Sequence, residues 1–310
     1  MNILVTGCNG QLGNEMRLGT SLHDSHRYFL TDVTAEDESL RLDITDKEAV
    51  EAFVAAHQIE LIVNCAAYTN VDKAEEDEPA ARLINCDAVR NLAEAAARHD
   101  AKMIHVSTDY VFDGKGCVPY NENDPVCPAT AYGRTKREGE EALLQALPDA
   151  VIIRTAWLYS TFGNNFVKTM IRLGKEREQL NVVFDQVGSP TFARDLAAAI
   201  YAVLEADEWH GGIYHFTNEG VCSWYDFTRE IHSLYNSQVF LRAYRNNSSP
   251  EVEKLPLIQC DVRPILSSEY PAKTPRPHYS VLDKKKIKET FDIEIPYWRD
   301  SLAQCIAALD

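Results

Sequence analysis

The feature that most constrains the fold is a short apolar strand that runs directly into a glycine-rich turn. Residues 2–6 read Asn-Ile-Leu-Val-Thr, glycines follow at positions 7, 10 and 13, and a segment of helical period starts at Gln11. A helix N-terminus offers unpaired backbone amides to a pyrophosphate, and glycines allow that group to approach. The pattern predicts a dinucleotide-binding turn in which Gly7, Gly10, Gln11 and Leu12 contact the cofactor. A tight turn without a ligand would use the same glycines.

Short apolar runs alternate with longer segments of helical period through the first half of the chain. The predicted strands are residues 2–6, 28–31, 61–64, 102–107 and 151–155, and the predicted helices start at residue 11 or cover residues 47–57, 80–99 and 129–147. This alternation predicts an α/β fold, a Rossmann-type doubly wound parallel sheet with right-handed crossovers. Ligands of such sheets bind beyond the carboxyl ends of the strands.

The alternation loosens after residue 160. Helical segments are predicted at residues 165–175, 193–206, 224–234, 283–291 and 297–309, and extended segments at residues 180–183 and 213–216. The prolines between residues 245 and 282 exclude a regular helix and predict an ordered loop there. We expect a dinucleotide-binding domain over residues 1–160, with returning segments from the C-terminal half. Residues 161–310 would then form mainly a smaller α/β substrate-binding lobe.

Charge and composition limit the classes of partner. The chain carries 47 acidic and 31 basic side chains, a formal net charge of -16, which disfavours binding to nucleic acid or to an anionic membrane. No apolar run approaches the ~18 residues of a membrane span. The eight cysteines have no metal-ligand spacing, the histidines form no His-Glu-x-x-His motif, and no metal site is predicted. These features favour a soluble cytoplasmic protein.

Further candidate cofactor residues follow the predicted strands. Asp32 ends the second strand at the distance from the glycine turn at which a carboxylate binds the adenosine ribose diol. Its charge would repel a 2′-phosphate, which favours NADH over NADPH. Asp43 and Ile44 suit an adenine-binding loop. Small residues after the third strand let the backbone run beneath the cofactor, although packing alone would also explain them: Cys65, Ala66 and Ala67.

The fourth strand and the following helix carry the candidate catalytic groups. Thr108 and Asp109 end the strand, and Tyr132 and Lys136 lie four residues apart, a rise of about 6 Å on one helix face. Thr108 can donate a hydrogen bond to a substrate oxygen, and an ammonium beside the phenol would lower the pKa of Tyr132. Ser-Thr pairs also cap turns, and the Tyr-x-x-x-Lys spacing occurs by chance. The spacing indicates a catalytic site here because it follows a nucleotide-binding turn and a strand that ends in hydroxyl groups.

Longer blocks of sequence make a family resemblance specific. They are residues 7–13, 64–75, 107–114, 132–136, 154–159, 163–166, 185–191, 276–277 and 280–283. With these blocks the chain resembles the extended short-chain dehydrogenases/reductases, and within them the dTDP-4-dehydrorhamnose reductase family. The blocks at residues 110–114 and 163–166 are more specific than the glycine turn.

The resemblance implies a function and roles for individual residues. The implied reaction is NADPH- or NADH-dependent reduction of the 4-keto group of dTDP-4-dehydro-L-rhamnose, with Thr108, Tyr132 and Lys136 as the catalytic set. Asp109 and Trp157 match substrate-contacting positions, together with Thr108. Tyr68 and Val106 are added to the cofactor contacts, which also include Tyr132 and Lys136. From the residues alone, Trp157 would more readily be assigned to the core.

The resemblance also bears on whether the protein binds a metal ion and forms a dimer. Some family members hold a magnesium ion between subunits through acidic side chains; Glu15 matches one such position, but Arg194 stands where another carboxylate is expected. This departure disfavours Mg²⁺ and leaves a homodimer open. Arg263 and Arg276 are candidates to pair with the substrate diphosphate, or are surface ion pairs.

Two alternative functions share these motifs. A nucleotide-sugar epimerase or dehydratase has the same turn and Tyr-Lys pair, but a dehydratase commonly adds a second acid after the position of Asp109, where Tyr110 stands here. A non-catalytic regulatory subunit could keep the fold, yet all three catalytic residues are present. Simple reduction is therefore favoured.

Overall fold

A six-stranded parallel sheet forms the centre of the protein in the computed structural model, which describes residues 1–245 and 255–309. Its strands are β1 (Asn2–Thr6), β2 (Arg27–Thr31), β3 (Leu61–Asn64), β4 (Lys102–Thr108), β5 (Val151–Thr155) and β10 (Gly212–His215). Their order is β10-β5-β4-β3-β1-β2, so the direction of winding reverses between β1 and β3. In open α/β sheets this reversal creates a crevice at the carboxyl ends, where ligands bind.

Helices cover both faces of the sheet. They are α1 (Gln11–Gly19), α2 (Lys47–His57), α3 (Val71–Glu76), α4 (Glu78–Arg82), α5 (Ala88–Arg98), α6 (Ala131–Ala146), α7 (Phe166–Glu176), α8 (Ala193–Leu204), α9 (Trp224–Arg245), α10 (Lys285–Phe291) and α11 (Trp298–Ala307). Met16 and Ile200 belong to the buried cluster on one face, and Leu92 and Leu143 to the cluster on the other. Burial on both faces explains the continuous apolar runs of the strands. The predicted α/β Rossmann-type fold is confirmed.

The predicted helix at residues 80–99 is interrupted. Helix α4 passes into a wide π-type turn over Leu83–Asp87 before α5 begins. The turn presses against α6, where a Cβ on Gly139 would lie 2.0 Å from the carbonyl oxygen of Asn85. The side-chain amide of Asn85 also bonds both backbone groups of Tyr68, at 2.9 and 3.1 Å. Such an interruption depends on tertiary contacts, which the helical period does not reveal.

The later part of the chain adds three small sheets beside the main one. Their strands are β6 (Leu158–Tyr159), β7 (Gln179–Val183), β8 (Val187–Gly188), β9 (Thr191–Phe192), β11 (Cys222–Ser223), β12 (Asp261–Ile265) and β13 (Tyr279–Ser280). A separate buried cluster around Phe227 and Leu302 includes residues of β6, β9 and β11, and a smaller cluster, Leu180, Val182 and Val262, joins β7 to β12. Because β10 enters the main sheet from this half, the chain returns to the first unit. The boundary at residue 160 stays a prediction.

Two expectations for the C-terminal half were wrong. Helix α9 continues to Arg245 rather than ending at residue 234. The segment expected to be only loop contains β12, which pairs in parallel with β7, and β13. Pro264 excludes a helix, but it is compatible with β12 because a two-stranded sheet consists only of edge strands. Residues 246–254 of the predicted loop lie outside the described residues.

Candidate active site

One large cavity lies over the carboxyl ends of β1, β3, β4 and β5. Its volume is about 1020 Å³. All but one of the predicted site residues line it: Gly7, Gly10, Gln11, Leu12, Asp32, Asp43, Ile44, Cys65, Ala66, Ala67, Val106, Thr108, Asp109, Tyr132, Lys136 and Trp157. The exception is Tyr68, whose ring packs against the small cluster around Ala74 and Ala131. The same cavity is lined by the glycine turn and by Tyr132.

The glycine turn approaches the end of β3 closely. Gly7 has a φ of +68°, and a Cβ there would lie 2.7 Å from the Cα of Ala66. Gly10 donates its N–H to the carbonyl of Gly7 at 3.0 Å and has no side chain to cap α1. The N-terminus of α1 borders the cavity, because Gly10, Gln11 and Leu12 line it, and such a terminus fits a pyrophosphate.

Two carboxylates border the cavity next to this turn. Asp32 accepts hydrogen bonds from the N–H of Asn9 at 3.2 Å and from the N–H of Thr34 at 2.9 Å. Asp43 accepts from the N–H of Thr45 at 2.9 Å, and Ile44 follows it on the cavity wall. Each carboxylate fixes a local turn, so its direction is set before any ligand arrives. Their placement fits an adenosine moiety.

The first turn of α6 places the candidate catalytic phenol. Thr130 caps this helix by accepting the N–H of Gly133 at 3.1 Å, and Tyr132 lies in the turn that it stabilises. Burial raises the pKa of Tyr132 to about 12; a hydrogen bond with Thr108 acts in the opposite direction, and the charge of Asp109 adds to the increase. The phenol therefore stays protonated at neutral pH, the form required of a proton donor.

Thr108 connects the phenol to a buried acid. Its hydroxyl donates to Oδ1 of Asp109 at 2.9 Å, and Ser280 of β13 donates a short hydrogen bond to the other carboxylate oxygen. Burial raises the pKa of Asp109 to about 6, against the lowering effect of the hydrogen bonds from Ser280 and Thr108. Thr108, Asp109 and Ser280 thus form a hydrogen-bonded series of hydroxyl and carboxyl groups beside Tyr132.

Lys136 does not have the expected relation to Tyr132. Its Nζ donates to the carbonyl of Val106 at 2.7 Å and lies 3.2 Å from Nε2 of His105, so it faces β4. Burial lowers the pKa of Lys136 to about 8, although the charge of Glu140 acts in the opposite direction. The expectation that this ammonium lowers the pKa of Tyr132 was wrong, because burial of the phenol outweighs it and Lys136 turns toward the sheet.

Trp157 holds an uncommon backbone conformation at the cavity wall. Its φ is +49°, in the left-handed region that bulky residues rarely adopt. The indole stacks on Trp224 with ring centroids 3.5 Å apart and 10° between the planes. A Cβ on Gly188 would lie 2.8 Å from Cε2 of Trp157, so β8 closes the indole's other side. These contacts fix the ring at the cavity wall, and its contact with the sugar stays a prediction.

Several cavity residues received no role from the sequence. They are Val33, Thr45, Thr69, Val71, Leu83, Ile84, Ser107, Tyr110, Thr155, Ala156, Leu158, Gly163, Asn164 and Asn165. Asn165 caps α7 and donates to Oε1 of Gln11 at 3.0 Å, which joins α7 to the glycine turn. An asparagine before a helical segment was a visible signal. Ser280 was not identifiable, because only the fold brings it to Asp109.

The two arginines considered for the diphosphate are engaged elsewhere. Arg276 pairs with Asp72 at 2.8 Å, and Arg263 pairs with Asp261 at 2.7 Å. Neither side chain lines the cavity in the described part of the chain. Their role in binding substrate stays a prediction.

The position considered for magnesium is occupied by an internal ion pair. Glu15 is buried, accepts from Nε of Arg194 at 3.1 Å and from the hydroxyl of Ser160 at 2.7 Å. Within residues 1–245 and 255–309, no three acidic, histidine or cysteine side chains are grouped as metal ligands. A guanidinium on this carboxylate does not fit a divalent cation. No described helix is long and apolar enough to cross a bilayer.

The fold and the cavity define a dinucleotide-binding α/β protein of the extended short-chain dehydrogenase/reductase type. The chain belongs to the RmlD substrate binding domain family, whose model matches residues 1–310. The family resemblance seen in the sequence is thereby confirmed.

Individual relatives match over nearly the whole chain. A dTDP-4-dehydrorhamnose reductase of Aggregatibacter actinomycetemcomitans is 41% identical over 97% of this chain and 96% of its own length. The crystal structure of a dTDP-4-dehydrorhamnose reductase from Clostridium acetobutylicum is similar with a TM-score of 0.86 and 42% identity, covering 99% of this chain and 98% of that one. The reductase of Bacillus anthracis in complex with NADP has a TM-score of 0.83 and 34% identity, with 98% of each chain covered.

Proposed function

We propose that this protein is a reductase that converts the 4-keto group of dTDP-4-dehydro-L-rhamnose to the alcohol of dTDP-L-rhamnose, with a reduced nicotinamide dinucleotide as the hydride source. The product serves cell-surface polysaccharide synthesis. The observation that carries the proposal is a single cavity shared by the glycine turn and the Tyr132–Thr108 pair. The relatives from Aggregatibacter actinomycetemcomitans and Clostridium acetobutylicum, which match nearly the whole chain, are named for this reductase activity.

The cofactor would lie across the sheet ends from the glycine turn to Lys136. The amides after Gly10 would bind the pyrophosphate, and Asp32 the adenosine ribose. Cys65, Ala66 and Ala67 would lie beneath the cofactor, where small side chains allow close approach. When bound, the reduced nicotinamide supplies a hydride to the carbonyl carbon of the sugar.

Tyr132 and Thr108 would act on the carbonyl oxygen. Tyr132 donates its phenolic proton to this oxygen as negative charge develops, and its raised pKa keeps that proton available at neutral pH. In the free protein the hydroxyl of Thr108 donates to Asp109 at 2.9 Å. It would turn from Asp109 to donate to the carbonyl oxygen of the substrate as negative charge develops there. The edge of the Trp157 indole, whose faces are covered by Trp224 and β8, would border the hexose.

We expect the protein to accept both NADH and NADPH, and we expect Asp32 to weaken the binding of NADPH. A carboxylate at the adenosine ribose repels a 2′-phosphate. Arg17 offsets part of this repulsion, because its guanidinium bonds Oδ1 of Asn9 at 3.1 Å, beside the same turn. We place the reaction in the cytoplasm, since the eight cysteines are all unpaired. A homodimer stays a prediction.

The direct test follows the absorbance of the reduced nicotinamide after addition of dTDP-4-dehydro-L-rhamnose generated in place. We expect substrate-dependent oxidation of stoichiometric cofactor and formation of dTDP-L-rhamnose. Cofactor that copurifies with the protein and is not consumed, with conversion of one nucleotide sugar to another, would indicate an epimerase or dehydratase. Binding of cofactor without any turnover would favour a regulatory subunit.

A further inference from the structure

A buried series of polar groups runs from β1 to Lys136. Asn64, at the end of β3, accepts with its Oδ1 from the hydroxyl of Thr6 at 2.7 Å and from the N–H of Ala66 at 3.1 Å. Its Nδ2 lies 3.0 Å from Nδ1 of His105. Nε2 of His105 lies 3.2 Å from Nζ of Lys136. Thr6, Asn64, His105 and Lys136 are all nearly inaccessible to solvent.

This series defines the tautomer of His105. A backbone N–H can only donate, so the atom of Asn64 that faces Ala66 is the amide oxygen, and the NH₂ group faces His105. Nδ1 of His105 must then accept. The imidazole is neutral, because burial holds the pKa of His105 well below its ordinary value. A neutral imidazole with an acceptor at Nδ1 carries its hydrogen on Nε2.

The hydrogen on Nε2 points at Lys136. An ammonium has three donors and no acceptor, so it would face this N–H donor to donor. A neutral amine can accept from Nε2 and still donate to the carbonyl of Val106 at 2.7 Å. The depression of the pKa of Lys136 to about 8, caused mainly by burial, agrees with this geometry.

Other charged groups near Lys136 do not remove the preference of this site for a neutral amine. Glu140, one turn further along α6, attracts the ammonium and raises the pKa of Lys136 against the effect of burial. Its carboxylate is nevertheless held by Arg154 of β5 in two hydrogen bonds of 2.8 and 2.7 Å, and by Arg137 at 3.0 Å. The imidazole of His105 is the group from β4 that meets the amine directly.

We propose that His105 is a positioning residue that couples the protonation of Lys136 to cofactor binding. The tautomer fixed by Asn64 admits Lys136 beside β4 only as a neutral amine. When the side chain turns into the cavity to contact the ribose of the nicotinamide, it takes up a proton and binds as an ammonium. This inference rests on the proposed function only in that a nicotinamide cofactor binds; it does not depend on the sugar.

The test is calorimetric titration with NADH at about pH 8.5 in buffers of different ionisation enthalpy, which reports protons taken up on binding. We expect uptake of about half a proton or more per NADH at this pH. The uptake should fall toward zero near pH 7, where most of the free protein would already carry Lys136 as an ammonium turned away from β4. The nearby Cys65 and Tyr132, both raised to a pKa of about 12, do not titrate in this range. Uptake below about a tenth of a proton in the wild-type protein would overturn the proposal.

Two variants separate His105 from other sources of the proton. Asn64→Asp places an acceptor against Nδ1, reverses the tautomer and gives the ammonium an acceptor at Nε2. His105→Phe removes the N–H. Asn64→Asp should reduce the uptake to less than about a fifth of the wild-type value, and His105→Phe, which leaves Lys136 buried, should reduce it less. His99→Gln, at a surface histidine paired with Glu51, should not change it. Unchanged uptake in folded Asn64→Asp would contradict the proposal.

The nitrogen chemical shifts of the His105 imidazole in the wild-type protein give a second readout. A variant is needed here only to assign the signal. We expect the His105 hydrogen on Nε2, and a hydrogen on Nδ1 would overturn the proposal. Failure of NADH to bind would contradict the proposed function, and the chemical shifts would then still decide the tautomer of His105.

Discussion

At the scale of single residues, the protonation state of a side chain in the cavity depends on its surroundings more than on its residue type. Tyr132 and Asp109 are both buried at the cavity, and burial raises the pKa of each, to about 12 and about 6. The phenol is therefore a stable proton donor, while the carboxyl titrates just below neutral pH. The four-residue spacing predicted that Tyr132 and Lys136 share a helix face. It could not predict the direction of Lys136, because His105 and the carbonyl of Val106 come from another strand.

Replacing Asp32 should change the choice of cofactor. In Asp32→Asn the hydrogen bond from Asn9 can be retained, but the charge that repels a 2′-phosphate is lost. We expect the ratio of kcat/KM for NADPH to that for NADH to increase about tenfold, which corresponds to about 1.4 kcal/mol. Asp43→Asn, at the other bordering carboxylate, is the matched control and should change the ratio less. An unchanged ratio in Asp32→Asn would place the ribose elsewhere.

At the scale of elements, short irregular pieces position the site. The sequence predicted a helix over residues 129–147, with Tyr132 near its start, because a segment of helical period follows Pro125 and Pro128. It did not predict the π-type turn at Leu83–Asp87 or the strand β13 that delivers Ser280. Both depend on contacts between segments distant along the chain. Trp157 likewise depends on β8 and α9, which enclose its ring.

A methyl group on β8 should displace Trp157. In Gly188→Ala the new Cβ would lie 2.8 Å from the indole, closer than carbon atoms pack. Because the ring would shift from the sugar site, we expect the KM for the nucleotide sugar to rise about tenfold while the Kd for NADH stays the same. Val221→Ala, at an exposed residue before β11, should behave like the wild type. An equal loss of NADH affinity would mean that Gly188→Ala acts through the fold.

At the scale of the whole molecule, a buried ion pair joins α6 to the sheet. Arg154 of β5 is 1% exposed and makes a bidentate contact with Glu140, at 2.8 and 2.7 Å. Glu140→Gln would leave the guanidinium buried without its counter-charge. We expect a loss of about 3 kcal/mol or more in the free energy of unfolding, measured by urea denaturation. The neighbouring substitution Glu141→Gln removes an exposed partner of Arg137 and should cost less than about 1 kcal/mol. Equal losses would contradict the assignment.

The stability of the molecule should fall on acidification below about pH 6.5. Burial lowers the pKa of His215 to about 3, with the charge of Arg154 as a further cause, and lowers the pKa of His105 strongly. The unfolded chain therefore binds more protons between these values, and each histidine contributes a slope of about 1.4 kcal/mol per pH unit. Asp109, with its raised pKa, has the opposite slope between about pH 6 and 4 and subtracts from the total. Urea denaturation at several pH values measures how the free energy of unfolding depends on pH. His215→Phe should make this dependence less steep, and an unchanged slope would contradict the role of His215.

The sequence revealed the parallel sheet and most of the cavity because local signals agree with the global fold. Apolar strands, the glycine turn and the residues at strand ends are each readable from neighbours in the chain. Tyr68 does not line the cavity, since its backbone bonds Asn85 of the π-type turn, and its contact with the cofactor stays a prediction. The small sheets beside the main one were partly missed because strands such as β12 are stabilised by a distant partner.

The central claim is that Tyr132 protonates the reduced carbonyl in a cavity shared with the cofactor. Its most direct test is Tyr132→Phe, with turnover of dTDP-4-dehydro-L-rhamnose and NADH binding measured on the same preparation. We expect turnover to fall by about 10²- to 10⁴-fold, while the Kd for NADH changes less than about threefold, because the ring remains and only the donor is removed. Turnover within a few-fold of the wild type, with NADH still bound, would contradict the assignment of Tyr132 as the proton donor.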